Sequence, residues 1–251
     1  MALQEEFEKQ GKWLFKYRGI LPLIPLFIGI VLYLRTEIHP ENFFLEGTPY
    51  EVYFETLALL VSLFGLFIRI YTVGYTPKNT SGRNTAQGQV AETLNTTGMY
   101  SIVRHPLYLG NFFMWLGPAM LPGHFWFIIT FCIFYWLYYE RIMFAEEQFL
   151  RRKFGEIYTE WAEKVPAFIP RFRNFIKPGL PFSWKKVLKK EKNGFVAVFI
   201  IFFFFDLAGD LIEHTTPTNY FLIAGLIVSL ITYIVLKYLK YNTKVLDEEG
   251  R

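Results

Sequence analysis

Arg104-His105-Pro106-Leu107-Tyr108-Leu109-Gly110-Asn111 stands where a polar stretch meets an apolar one. Farther along lies Glu146-Glu147-Gln148-Phe149-Leu150, followed by Phe154-Gly155-Glu156-Ile157-Tyr158 and closed by Val165-Pro166-Ala167-Phe168-Ile169-Pro170. Charged side chains therefore sit at the edges of membrane-length apolar runs. Pro106 has no backbone donor and suits a first helical turn, and it pushes His105 toward an extended conformation. Arg104 and His105 then form the lip of a helix whose N-terminus favours anions. Tyr108, Asn111 and Trp115 fall on one face of that helix by their three- and four-residue spacing. One reading is a polar pocket for an anionic or zwitterionic ligand. Interface-belt aromatics beside a headgroup-binding Arg account for the same residues.

Composition sets the solvent. The chain has 251 residues, is 53% hydrophobic and 20% aromatic, and contains 28 Phe. Such a chain belongs in a bilayer. The single Cys, Cys132, excludes an intrachain disulfide framework and a Cys-rich zinc site. The four His show no metal-ligand spacing. Met1–Lys12 is polar and lacks a small-residue cleavage site after the first apolar run, so that run reads as a retained span.

The fold expected is all-α and polytopic. About six membrane-embedded segments are read at Gly19–Leu34, Tyr53–Val73, Leu107–Leu121, Phe125–Tyr139, Phe195–Leu211 and Tyr220–Leu239. Several are shorter than the roughly 20 residues a perpendicular helix needs. Leu107–Leu121 and Phe125–Tyr139, joined only by Pro122-Gly123-His124, read as a helical hairpin. The segment between Gly74 and Gly98 reads as irregular. The organisation expected is 1–97 for N-terminal helices and a polar loop, 98–178 for the core, and 179–251 for a basic linker and a helix pair.

Basic residues orient the spans. Lys9, Lys12, Lys16 and Arg18 precede the first; 35–52 carries one Arg and four Glu; 140–192 carries thirteen Lys or Arg. Both termini are expected in the cytoplasm, with Arg104 and Glu146 at that face of a bacterial inner membrane or another energy-coupled membrane.

On a helix continued from Arg141 to Lys164, residues Met143, Leu150, Phe154, Ile157 and Trp161 form an apolar stripe. Glu146 and Glu147 flank it, with Tyr158 beyond Glu147. Carboxylates edging an apolar face are costly unless paired or used. Arg104 could satisfy one, and so could a cationic ligand; an amphipathic helix on the membrane surface is the plainer alternative. Asp206, Asp210 and Glu213 share a face of a later helix, where ionisable groups invite either a functional or a structural account. Arg69 reads as a snorkelling cation.

Together these motifs resemble the integral-membrane methyltransferases that include isoprenylcysteine carboxyl methyltransferase and the phospholipid methyltransferases. The resemblance covers about residues 98–170. It implies S-adenosylmethionine as cofactor, held by His105, Tyr108, Gly110, Asn111, Glu146, Tyr158 and Ile169, with Arg104 and Glu147 closest to the chemistry. It implies methyl transfer to a lipid or lipidated acceptor drawn from the bilayer, with no metal and no nucleic acid. Trp161 stands where the family usually has Tyr, and Ala167 where it often has Arg. Membrane sterol reductases share an Arg-His-Pro-x-Tyr-x-Gly motif and use NADPH, but Glu146-Glu147 with Leu150 and Phe154-Gly155 fits the methyltransferases better. A non-enzymatic transport or lipid-binding protein would rest on Asp206 and Asp210. No Gly-rich dinucleotide loop follows a strand.

Overall fold

The computed structural model describes the chain apart from residues 1, 46–47, 79, 81–82, 86–87 and 215–218; at 42, 52, 83–85, 88–90 and 213 only the backbone is described. Among the described residues its regular secondary structure is helical except for one short hairpin. The helices are α1 (Leu3–Tyr17), α2 (Leu23–Ile38), α3 (Glu51–Tyr75), α4 (Pro106–Met120), α5 (Phe125–Phe154), α6 (Glu156–Lys164), α7 (Trp184–Glu213) and α8 (Tyr220–Asn242). The hairpin pairs β1 (Arg83–Thr85) antiparallel with β2 (Gly88–Val90), inside the stretch the sequence reads as irregular. The apolar segments lie in helices apart from their ends, Gly19–Pro22 forming a turn before α2 and Leu121 one after α4, and the protein is polytopic. Four helical stretches are long and apolar enough to cross a bilayer: Tyr53–Tyr75, Phe125–Phe154, Trp184–Ile212 and Tyr220–Asn242. At 1.5 Å per residue, α2 and α4 reach only about 22–24 Å, short of a hydrocarbon core of roughly 30 Å.

Small residues bring α3 and α4 together. A Cβ on Gly65 would lie 2.4 Å from the Gly110 carbonyl oxygen, and one on Gly117 would lie 2.3 Å from the Ala58 carbonyl oxygen. In lipid, where apolar burial does not drive association, such close backbone approach supplies the packing. The α4–α5 turn is a hairpin, as its sequence suggests. Gly123 takes φ +67 there, and the Thr36 hydroxyl of α2 donates to the Pro122 carbonyl at 2.9 Å.

The α5 helix is twice as long as its apolar run. Its 30 residues span about 45 Å, so its last turns extend beyond a bilayer and carry the two Glu. The amphipathic α1, in a stretch read only as polar, packs along this extension. Arg141 lies 3.4 Å over the Phe7 ring, and Arg152 binds Glu8 through two nitrogens at 2.7 and 3.0 Å. The core between α4 and α5 is aromatic, with Tyr135 and Tyr139 stacked at 4.2 Å. Asp206 accepts from the Asn219 amide at 3.1 Å, while the Asn219 oxygen caps α8 by accepting from Leu222 N. That places Asp206 in a structural tie between α7 and α8; the side chain of Glu213 lies outside the described residues.

A single helix from Arg141 to Lys164 does not form. Gly155, at φ +57, ends α5 and starts α6 in a new direction. This left-handed conformation has no Cβ penalty only in glycine. The turn exposes Ile157 to 68% and leaves Tyr158 only 1% accessible, so Ile157 leaves the apolar stripe while Trp161 still packs with Leu150 and Phe154.

Candidate active site

Pro106 occupies the first turn of α4, and His105 precedes it with φ −123 and ψ 60. The approach is pinned by the segment after α6. Arg104 N donates to the Pro166 carbonyl at 2.8 Å, and Arg171 N donates to that of Ile102 at 2.9 Å. The lip therefore faces the end of α5, where Glu146 and Glu147 emerge.

Four charged or titratable groups meet there. Arg104 Nη1 donates to Glu147 Oε2 at 2.7 Å. His105 Nε2 lies 2.8 Å from Glu147 Oε1, and its Nδ1 lies 3.6 Å from Glu146 Oε2. One imidazole thus bridges both carboxylates. The ring stacks on Tyr108 at 5.6 Å, and the Tyr108 carbonyl accepts from the Tyr135 hydroxyl at 2.8 Å. Burial alone would lower the His105 pKa, but Glu146 and Glu147 outweigh it and hold the imidazole above its ordinary value.

A cavity of about 570 Å³ opens beside this cluster. That falls within the roughly 300–1,000 Å³ of small-molecule sites. Arg104, His105, Tyr108, Asn111, Glu146 and Tyr158 all line it. A second cavity, of about 210 Å³, is lined by Trp136, Met143, Phe144, Ala167 and Phe168 together with Glu147. Arg104 and Tyr139 belong to both. The two adjacent Glu thus serve different chambers, Glu146 the polar one and Glu147 the apolar one.

At this site, among the described residues, the Tyr158 hydroxyl and Arg104 Nε are buried without a protein hydrogen bond of ordinary length. Burial, then the Glu147 carboxylate, push the Tyr158 phenol above its ordinary pKa, so it stays a proton donor. Buried donors of this kind are expensive unless a ligand satisfies them.

Two expected residues lie elsewhere. Gly110 faces α3, where a Cβ would meet Arg69 Cγ at 2.6 Å; it is a packing position and lines neither cavity. Ile169 is 72% exposed and also lines neither, whereas its neighbours Ala167 and Phe168 line the second. Trp115 packs into the aromatic core instead of sharing the pocket with Tyr108 and Asn111.

Arg69 corrects a further expectation. It does not snorkel. Its Nε and Nη2 donate to both oxygens of Glu191, at 2.7 and 2.9 Å, and its Nη1 donates to Asn111 Oδ1 at 2.7 Å. An Arg inside an apolar run is itself a signal of a built site. Its partner Glu191 is hidden among lysines, and only the fold joins them.

The profile of the phospholipid methyltransferase family matches residues 54–157. Among curated proteins, the chain is 41% identical over 78 residues to protein-S-isoprenylcysteine O-methyltransferase of Schizosaccharomyces pombe, covering 31% of this chain and 33% of that one. It is 33% identical over 88 residues to the nickel-cobalt-cadmium resistance protein NccN of Alcaligenes xylosoxydans xylosoxydans, covering 35% and 41%. It is 35% identical over 81 residues to methanethiol S-methyltransferase 2 of Bradyrhizobium diazoefficiens, covering 32% and 30%. The matches thus span less than half of each of these relatives. No solved structure matches. The segment that builds the Arg104–Glu147 site is thus similar to the phospholipid methyltransferase family and to protein-S-isoprenylcysteine O-methyltransferase.

Proposed function

We propose that the protein transfers a methyl group from S-adenosylmethionine to a lipidic acceptor at the cytoplasmic face of the membrane. The observation that carries this reading is the meeting of a polar and an apolar chamber across Arg104 and Tyr139. A water-soluble donor and a bilayer-soluble acceptor need such a junction, because methyl transfer requires in-line approach in a site that excludes water. The relatives' names carry the same chemistry, to an isoprenylcysteine in one case and to methanethiol in another.

The residues suit the cofactor. It would supply an electrophilic methyl on a sulfonium. Glu146 offers a carboxylate to its cationic groups, and the Tyr158 hydroxyl offers a donor to its carboxylate. His105, Tyr108 and Asn111 complete the polar wall. Arg104 also reaches the second chamber, where it would hold an anionic acceptor. Glu147 is already bound by Arg104 and His105. Its role is to aim Arg104, and it takes a proton from an amine acceptor only after one of those bonds opens. The apolar chamber takes an acyl or prenyl chain between Trp136 and Phe168. The small Ala167 in that wall leaves room there. A prenylcysteine carboxylate, a phospholipid amine and a lipid phosphate are the acceptors to assay.

Calorimetric titration of purified protein tests the reading. S-adenosylhomocysteine should bind, and His105→Ala, Tyr108→Phe and Glu146→Gln should each weaken it at least tenfold while circular dichroism stays native. Wild-type affinity in all three variants, or binding of NADPH in its place, would overturn it.

A further inference from the structure

Beside the cofactor-sized cavity lies another polar chamber, of about 460 Å³. The two share Arg18, Arg69, Tyr100 and Leu107, so they adjoin. The far wall of the new chamber is built outside residues 54–157, by the start of α7, the end of α8 and the C-terminal tail. It carries Lys186, Lys189, Lys190, Lys240 and Arg251.

Two of these cations are fixed in place by neutral groups. Lys186 Nζ donates to the Thr76 carbonyl at 2.5 Å, the Thr76 hydroxyl at 2.9 Å and the Pro77 carbonyl at 3.0 Å. Arg251 donates to the carbonyls of Gly74, Thr76 and Pro181. Among the described residues, neither forms an ion pair. The acids nearby are already engaged: Glu191 with Arg69, Glu248 with the Ser183 hydroxyl and Asp247 with Lys189. Carbonyl ligands orient a cation without cancelling its charge. Like charges gathered on one concave wall sum their fields and draw in an anion. Lys186 has spent its three N–H groups on Thr76 and Pro77 and adds fixed charge, while Arg251 keeps N–H groups beyond the three it has placed; that charge and those donors suit an acceptor with many oxygens and more than one negative charge.

We propose that this chamber binds a phosphomonoester or diphosphate group, carried either by a lipid headgroup or by a soluble phosphate ester. Its position at the ends of two membrane-length helices suits a headgroup, since basic pockets between such helices bind phosphorylated heads. The site stands apart from the methyl-transfer reading, and its test uses binding alone.

The probes are inorganic pyrophosphate, titrated into the full chain in neutral detergent, and phosphatidic acid against phosphatidylcholine in nanodiscs, read by retained lipid in native mass spectrometry. Pyrophosphate should bind saturably. Lys186→Gln should weaken it at least tenfold, and so should Lys190→Gln/Lys240→Gln, which leaves the Thr76–Pro77 clamp untouched. Arg171→Gln/Arg173→Gln, removing exposed charges elsewhere, should leave it unchanged. Preferential retention of phosphatidic acid assigns the lipid as the source, and pyrophosphate binding alone assigns a soluble ester. The proposal fails if pyrophosphate does not bind and phosphatidic acid is retained no better than phosphatidylcholine. It fails equally if the Arg171/Arg173 control weakens binding as much as the chamber variants do.

Discussion

The Arg69–Glu191 pair offers the sharpest quantitative test. Glu191 has 4% of its side chain accessible and Arg69 has 22%. The contact is two-pronged, and the remaining guanidinium nitrogen holds Asn111. Glu191→Gln keeps the volume and one acceptor but leaves the guanidinium without its countercharge. Breaking a buried pair in this way costs roughly 3–5 kcal/mol. Arg69 keeps a partial path to water along the cavity, so the loss belongs near about 3 kcal/mol. Arg69→Lys, which a snorkelling residue would tolerate, gives up one Glu191 bond and the Asn111 bond and should cost about 2 kcal/mol. The exposed pair Glu8–Arg152 is the internal contrast. Arg152 is 55% accessible, and Arg152→Gln should cost no more than about 1 kcal/mol. Unfolding in mixed detergent–dodecyl sulfate micelles reads all three, and a cycle with Arg69→Met isolates the coupling. A Glu191→Gln variant within about 0.5 kcal/mol of wild type, or no coupling in the cycle, would refute the argument.

Three other outcomes follow from the geometry. Arg104→Lys should keep cofactor affinity within a few-fold yet lose most methyl incorporation into extracted lipid or prenylated thiol acceptors, because an ammonium cannot bind Glu147 and an acceptor through a planar fork; abolished cofactor binding would make Arg104 a cofactor ligand instead. Gly65→Ala should destabilise by about 1–3 kcal/mol in the same micelle assay, because its Cβ would stand 2.4 Å from the Gly110 oxygen; an unchanged midpoint would mean that α3 and α4 are not held by this contact. In a Cys132→Ser background, Lys185→Cys should resist a membrane-impermeant thiol reagent in intact cells while Glu41→Cys labels, and the reverse pattern would invert the orientation.

What the sequence disclosed was what local rules govern. Pro106 after His105 announces a helix start whatever surrounds it, and two Glu at the border of an apolar face announce a need for partners. Both held, and Arg104 proved to be one of those partners. Local reasoning failed where one residue changed direction. Extrapolating 100° per residue through Gly155 put Ile157 on the buried stripe, whereas the left-handed turn exposed it and buried Tyr158 beside Glu147. It failed again where partners are distant in sequence. Arg69 and Glu191 lie on α3 and α7, and in each segment alone they read as a snorkelling cation and as one acid in a basic run. The α1 helix escaped notice because its apolar side chains are few. It is amphipathic only against the particular surface that α5 presents beyond the bilayer.

The charge balance at His105 carries one more consequence. Arg104 and a protonated His105 neutralise Glu146 and Glu147, so the cluster sums to zero in a buried setting. Because the folded pKa of His105 is raised, the protonated imidazole stabilises the fold fully below about 6.5, the ordinary value. That contribution is lost as pH climbs through the raised value. A cationic ligand group placed against Glu146 competes with the His105 proton for the same carboxylate. S-adenosylmethionine should therefore release up to one proton more than S-adenosylhomocysteine on binding at pH 7, and its relative affinity should grow as pH rises. Titration calorimetry in buffers of different ionisation enthalpy counts those protons. His105→Gln, which keeps a polar side chain but cannot titrate, should abolish the difference between the two ligands. Equal proton release by both in the wild type would mean that the sulfonium does not face Glu146, and the cofactor would have to lie the other way round in the cavity.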